Sequence, residues 1–224
     1  MNDLGNNSSR RRPNIAVIAL TCALAGVSVA VWIQPVSTQL KLIVELGFIP
    51  LRFSQHHWSS LHTLVTATAL HGDVFHLVGN VLFLWVFGRT LARLFGNWLL
   101  LGLFPLLGAV GFLASWLLQA NSPVPIIGAS AAIATLMGAY LVLFPRTRFR
   151  YLIVSKRLTA PAWAFLIIWL GLQFLSLLSG GEAKDSIAYS AHIGGFILGA
   201  VSALCWKELY PGADEILQGM VKEV

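Results

Sequence analysis

A serine and a histidine near the ends of two apolar runs have the clearest chemical potential in this sequence. Ser130 lies in Gly128-Ala129-Ser130-Ala131 at the start of one run, and His192 lies near the start of another. A serine hydroxyl facing an imidazole in a dry cavity is an activated nucleophile with its base. Alone, each residue would be a packing or interhelical polar residue. The pair therefore predicts nucleophilic catalysis if folding brings the two side chains together.

Two further polar residues lie in a third apolar run. His76 and Asn80 are four residues apart, so on a helix they share one face. Both side chains can donate hydrogen bonds to a single acceptor. The alternative is a pair of polar residues that bond between helices.

The sequence shows no evident third member for a serine and histidine pair. The nearest acids, Asp73 and Asp185, lie outside the apolar runs. A metal site built from His71, His76 and His192 is a competing interpretation. However, the glutamate that follows the first histidine in zinc proteases is missing here. We therefore expect a dyad, with no metal ligands and no cofactor.

The elements that position these residues are apolar runs long enough to suggest a membrane protein. Of the 224 residues, 57% are hydrophobic and 11% are charged, against roughly 25% charged in soluble domains. This composition excludes a soluble protein. The runs are Ile15–Ile33, Val74–Leu91, Trp98–Leu118, Gly128–Phe144, Ala160–Leu178 and Ile187–Trp206. They predict an all-α membrane protein with a bundle of six transmembrane helices.

Basic residues predict the orientation of this bundle. The formal net charge is +6, but the basic residues cluster in short segments between apolar runs, so we expect no nucleic-acid partner. With the N-terminus inside, only Lys41, Arg52 and Lys184 of the 15 Lys and Arg residues fall outside. We expect a cytoplasmic polar segment at 1–14, a membrane domain at 15–206 and a cytoplasmic tail at 207–224. Both termini would then be cytoplasmic.

Small residues form two stripes that would let helices approach closely. Ser130, Ala134 and Gly138 lie one turn apart in the fourth run, and Gly195 and Gly199 form a GxxxG pattern in the sixth. Such stripes allow helix backbones to pack in contact. We expect the two parallel helices to dock through these stripes, which brings the serine and the histidine to similar depth.

The fourth helix should also be short. Pro123 and Pro125 prevent an earlier start, and a helix over 128–144 would be about 25 Å long, less than the roughly 30 Å hydrocarbon core. Ser130 should then lie below the outer surface, beside unpaired backbone N–H groups that suit a developing oxyanion. The apolar external loop at 34–70 should lie in the membrane interface as short amphipathic pieces.

Four motifs occur in order, the first in the external loop and the other three at the external ends of alternate helices. They are Leu46-Gly47-Phe48-Ile49-Pro50, then His71-Gly72 with His76-Leu77-Val78-Gly79-Asn80, then Gly128-Ala129-Ser130, and then Ala191-His192-Ile193-Gly194-Gly195 with Gly199. In this combination the sequence resembles the rhomboid family of intramembrane serine proteases.

The resemblance implies a role for each of four side chains. Ser130 would be the nucleophile and His192 the general base. His76 and Asn80, together with the backbone N–H of the serine, would be the oxyanion donors. The resemblance also implies a water-filled cavity open to the outside and substrates that are themselves membrane-spanning proteins.

Two departures from the family pattern concern how firmly the site is held. His62-Thr63 occupies the place of a Trp-Arg pair, which affects the anchoring of the long loop. Ala134 occupies the place of an aromatic residue against which the histidine packs. We therefore expect either a slow enzyme or a substitute aromatic wall, with Tyr189 and Phe196 as the nearest candidates on the sixth helix.

The sequence thus predicts an intramembrane serine endopeptidase in a lipid bilayer, of minimal bacterial inner-membrane type. One alternative is a catalytically inactive rhomboid-like protein that binds transmembrane helices. Another is a small transporter, although the cytoplasmic halves of the predicted helices have almost none of the polar residues that a transport path would need. The sequence does not predict the oligomeric state.

Overall fold

The computed structural model describes residues 14–153, 156–181 and 187–222. The predicted arginine anchor at 10–12 and the loop acid Asp185 lie outside these residues, as does Lys184. The expectations that rest on them stay predictions.

Helices make up most of the described chain. In chain order the elements are α1 (Ile15–Trp32), α2 (Val36–Leu46), α3 (Pro50–Gln55), α4 (His57–Ser60), α5 (Thr63–Thr66), a 3₁₀ turn (Ala67–Ala69), α6 (Val74–Phe83), a π turn (Leu84–Gly88), α7 (Arg89–Phe95), α8 (Asn97–Leu118), α9 (Ser130–Leu143), β1 (Arg148–Ile153), β2 (Lys156–Pro161), α10 (Ala162–Leu178), α11 (Tyr189–Leu209) and α12 (Ala213–Lys222). Five of the predicted apolar runs each coincide with one helix, and the second run, Val74–Leu91, covers α6, the π turn and part of α7.

Four of these helices are long and apolar enough to cross a membrane. They are Ile15–Trp32, Val74–Phe95, Asn97–Leu118 and Tyr189–Leu209, of which the second comprises α6, the π turn and α7. The other two apolar helices, α9 and α10, have 14 and 17 residues. The chain is therefore a mostly helical integral membrane protein with four candidate spans in its described part.

A two-stranded hairpin interrupts this helical pattern. β1 and β2 pair antiparallel, with Arg148 opposite Pro161. Phe149 packs against Phe87 and Tyr140, with ring centroids 5.7 and 5.8 Å apart, and so attaches the hairpin to the helices. The all-α prediction does not include this hairpin, because in the sequence the arginines of this segment indicate only the orientation of the bundle.

The C-terminal tail, for which the sequence predicts no element, contains a helix. α11 continues to Leu209, and α12 follows with Ala213 and Leu217 buried. An ion pair of 2.9 Å joins Lys207 to Asp214 at the turn between the two helices. The described part of the predicted tail is therefore packed against the membrane domain.

α9 forms the centre of the bundle. Ten of its 14 residues are buried, and it is apolar on every side, as expected of a helix surrounded by others. Its main partner is α11. A side-chain carbon added at Gly138 would overlap the carbonyl oxygen of Phe196, and one added at Gly199 would overlap the carbonyl oxygen of Thr135. The two backbones are therefore in direct contact.

The contact face of α9 differs slightly from the predicted stripe. Gly195 faces the carbonyl oxygen of Ala131, just as Gly199 faces that of Thr135. The face that meets the GxxxG pattern is thus displaced by one residue from the line through Ser130 and Ala134. Ala134 is fully buried, whereas Ser130 lies at the edge of the contact and is only partly buried.

The close approach predicts different effects on stability for two glycine substitutions. Gly199→Ala should lower the free energy of unfolding by about 1–3 kcal/mol, because the new methyl group overpacks the contact with α9. Gly171→Ala on α10 is the matched control, since an added carbon there meets no atom within 4 Å. It should leave stability unchanged or raise it by up to about 1 kcal/mol. Unfolding of both variants in one detergent measures the difference, and equal stability would contradict the described packing.

Candidate active site

Ser130 is the first residue of α9, and the turn before it explains how it is presented. Gly128 has a φ of +116°, which side-chain-bearing residues rarely adopt, and its N–H donates to the carbonyl of Ala67 over 2.8 Å. A carbon added at Gly128 would lie 2.6 Å from His76 Nε2 and 3.5 Å from Asn80 Nδ2. A glycine is therefore needed to let these two side chains approach the backbone beside the serine.

Ser130 and His192 are brought into direct contact. His192 Nε2 lies 2.8 Å from Ser130 Oγ, although the two residues are 62 positions apart in sequence. Both are half-buried. His192 lies in the first turn of α11, and its N–H donates to the carbonyl of Ala188 over 3.1 Å. The packing of α9 on α11 thus sets the two reactive atoms at hydrogen-bond distance.

The second ring nitrogen of His192 has a partner that sequence reasoning missed. Its Nδ1 lies 2.8 Å from Gln173 Oε1, on α10. The signal for this residue was present in the sequence, since Gln173 is an amide within an apolar run. The ring of His192 is therefore held by hydrogen bonds at both nitrogens.

A tryptophan supplies a wall for the same ring. The centroid of Trp169 lies 5.9 Å from that of His192, with an angle of 34° between the planes. Tyr189 meets the imidazole edge-on at 6.4 Å, and Phe196 stacks on Trp169 at 6.0 Å. The expected substitute for the aromatic residue that is missing at position 134 thus comes mainly from α10, while Phe196 packs against Trp169.

Asn80 carries a donor that is buried without an acceptor. The residue is 6% exposed, and its Nδ2 finds no hydrogen-bond partner among the described residues. Leaving a buried donor unpaired costs about 1–3 kcal/mol. Because Nδ2 faces Gly128, two residues before the serine, it is free to bind an oxygen atom that arrives beside Ser130.

His71 supports His76 from the loop before α6. Its Nδ1 lies 3.0 Å from Ser28 Oγ, and its ring centroid lies 5.1 Å from that of His76. Burial, with a smaller contribution from the nearby His76, lowers the pKa of His71 to about 4, so this ring is neutral at pH 7.

Within the described parts of the chain, no three His, Cys, Asp or Glu side chains are placed to hold a metal ion.

The loop at 34–70, which the sequence predicts to be external, is anchored by residues other than the missing Trp-Arg pair. Arg52 donates to the carbonyls of Val44 and Gly47, over 2.5 and 2.6 Å, and so satisfies carbonyls at the C-terminal end of α2. The Nε1 of Trp116 donates to Ser54 Oγ over 2.8 Å. Arg52 thus links two parts of the loop, and Trp116 fixes the loop against α8.

The same loop also pairs with the segment that leads into α9. Phe48 and Ile126 exchange two backbone hydrogen bonds of 3.0 and 2.7 Å, and Leu51 donates to the carbonyl of Ser122 over 3.0 Å. The approach to Ser130 is therefore held in place by the loop that precedes α6.

Comparison with known proteins gives one family. Residues 58–208 match the family model described as the Rhomboid domain. The chain is 32% identical over 169 residues to RHOMBOID-like protein 12, mitochondrial, of Arabidopsis thaliana. The alignment covers 68% of this chain and 47% of that protein. It is 33% identical over 140 residues to Rhomboid protease GluP of Bacillus subtilis, and that alignment covers 62% of this chain and 25% of that protein. The chain thus spans about half or less of the length of these relatives.

Proposed function

The chain belongs to the rhomboid family, and on that premise we propose that it is an intramembrane serine endopeptidase that cleaves membrane-spanning proteins. The observation that carries the proposal is the 2.8 Å contact between Ser130 Oγ and His192 Nε2. One of the relatives it resembles is itself named a protease. The proposed reaction uses the side chains of this site as its reacting groups.

The proposed hydrolysis uses the serine and the histidine in two stages, formation of an acyl-enzyme and its hydrolysis by water. Ser130 Oγ attacks the carbonyl carbon of the scissile peptide bond while its proton passes to His192 Nε2. When the tetrahedral intermediate collapses, the C–N bond breaks and the imidazolium returns that proton to the leaving amine. Water, with its proton taken by the same nitrogen, then hydrolyses the acyl-enzyme and restores the serine hydroxyl.

The negative charge that develops on the carbonyl oxygen needs donors in place before the reaction. Asn80 Nδ2 and His76 Nε2 face the backbone beside the serine, and the first turn of α9 contributes its unpaired N–H groups. We assign these donors to the oxyanion. Fixed donors in a dry site stabilise such charge far more than they would in water.

The proposal includes six membrane-spanning segments within a domain at 15–206, flanked by cytoplasmic segments at 1–14 and 207–224. α9 and α10 would then be the two shorter crossings. With 14 residues, α9 is about 21 Å long, against a hydrocarbon core of roughly 30 Å. Ser130 would accordingly lie below the outer surface, in a cavity that water reaches from outside.

The membrane that holds the protein is a separate part of the proposal. The bacterial inner membrane stays a prediction, because the relatives include proteins named mitochondrial and chloroplastic as well as one from Bacillus subtilis. The natural substrate is proposed only by class, as a membrane protein cleaved in or near its transmembrane segment.

Removing the nucleophile tests the proposed activity. Ser130→Ala should lower the cleavage rate of a membrane-spanning reporter in liposomes by several orders of magnitude, because no covalent route remains. His192→Ala should have a similar effect, since the hydroxyl loses its base. Ser176→Ala and His56→Ala, which lie outside the site, should cleave at the wild-type rate. Wild-type cleavage by folded Ser130→Ala would contradict the serine mechanism, and failure of every form to cleave would favour an inactive helix-binding protein.

Replacing Asn80 tests the oxyanion assignment. Asn80→Ala should lower kcat by about 10²–10³ and leave KM little changed, because the donor acts on charge that appears only in the transition state. Asn121→Ala removes an exposed amide in the loop before α9 and serves as the matched control. Steady-state kinetics on the same reporter measures both constants. An unchanged kcat with a raised KM would make Asn80 a residue of substrate binding instead.

A further inference from the structure

We propose that Gln173 is a positioning residue that holds His192 in the tautomer able to activate Ser130. The inference rests on the proposed function and extends it from a dyad to a hydrogen-bonded series of three side chains. Its basis is that the two ring nitrogens have two different partners, each at 2.8 Å: Gln173 Oε1 at Nδ1 and Ser130 Oγ at Nε2.

The chemistry of the two partners decides where the imidazole proton lies. A neutral imidazole has one N–H donor and one acceptor nitrogen. The amide oxygen of Gln173 can only accept, so it favours the proton on Nδ1. Nε2 then keeps its lone pair for the proton of Ser130. With the proton on Nε2 instead, His192 could not accept from the serine and would not act as its base.

The position of Gln173 supports this assignment over simple packing. It is the amide of a 17-residue helix whose other residues are nearly all apolar, and burying an amide is unfavourable unless it is hydrogen-bonded. Trp169 lies one turn earlier on the same face of α10 and covers the imidazole at 5.9 Å. One helix thus fixes both the protonation pattern and the plane of the ring.

This arrangement also explains how the site tolerates the small residue at Ala134. An imidazole held at Nδ1 by Gln173 and against its face by Trp169 cannot turn away from Ser130 without losing both contacts. Misplacing a catalytic group by 1 Å can lower the rate on the order of 10²-fold. α10 therefore replaces the support that α9 does not provide.

A purely structural role makes a different prediction. An interhelical hydrogen bond in a membrane bundle is worth roughly 0.6 kcal/mol, so its loss would lower stability slightly and leave kcat unchanged. The deciding readouts are accordingly the division between kcat and KM, the tautomer of His192, and rescue by a residue that keeps an acceptor oxygen.

The experiment compares Gln173→Leu with Gln173→Glu, using Ser176→Ala on the same helix as the matched control. Cleavage of the membrane-spanning reporter gives kcat and KM. Imidazole ¹⁵N chemical shifts of histidine-labelled protein give the tautomer, with the signals of His192 identified by their loss in His192→Ala.

Gln173→Leu should lose on the order of 10²-fold in kcat with little change in KM, and its His192 should no longer be uniformly protonated at Nδ1. Gln173→Glu should recover most of the rate and the Nδ1–H tautomer. Gln173→Met, which keeps the chain length but has no amide oxygen, replaces Gln173→Leu if the latter does not fold. Wild-type kcat and tautomer in the apolar variant would overturn the proposal, as would a Gln173→Glu variant no faster than the apolar one.

Ser130→Ala, assayed in parallel, separates this proposal from the one on which it rests. Continued cleavage by Ser130→Ala would refute the serine mechanism itself. Loss of cleavage in Ser130→Ala, together with an unaffected Gln173→Leu, would refute only the positioning role.

Discussion

Helices α9 and α11 touch along their backbones, and the geometry of the site depends on this contact. Gly138 on one helix and Gly195 and Gly199 on the other leave no room for a side chain where they meet the opposite helix. Ser130 and His192 both lie in the first turn of their helices, beside this contact. The distance between their reactive atoms is therefore set by the rigid packing of two helices, and a shift of either one would separate the hydroxyl from the imidazole.

Polar groups in this apolar bundle are few, and their partners divide the site into a supporting part and a reacting part. His71 Nδ1 contacts Ser28 Oγ, and His192 Nδ1 contacts Gln173 Oε1, so both of these ring nitrogens have partners within the protein. Asn80 Nδ2 has no acceptor among the described residues although it is buried. The proposed oxyanion site would use such an unpaired donor beside the serine. Folding places the donor there at a cost in stability, so it is in position before the charge forms.

Much of this arrangement could be predicted from the sequence, because apolar length and small-residue spacing act locally along a helix. Each predicted apolar run is helical in the structure, and the family assignment is confirmed by the match over residues 58–208. Partners from other helices could not be predicted in the same way. Trp169 reads as one more apolar residue of its run, and only the packing of α10 on α11 places it against His192. The anchoring role of Arg52 likewise depends on the fold, because its guanidinium donates to a carbonyl just after the end of α2. The hairpin was missed because its arginines carry the same signal whether or not the segment forms strands.

The central claim is that folding makes the hydroxyl of Ser130 a nucleophile, and a serine-directed fluorophosphonate tests it without any substrate. Reaction joins the serine oxygen to phosphorus and releases fluoride, so mass spectrometry of the digested protein locates the adduct. We expect a single adduct on the peptide that contains Ser130 in folded protein, and none after denaturation. An adduct on another serine, or no adduct on Ser130 in protein that cleaves a membrane-spanning substrate, would contradict it.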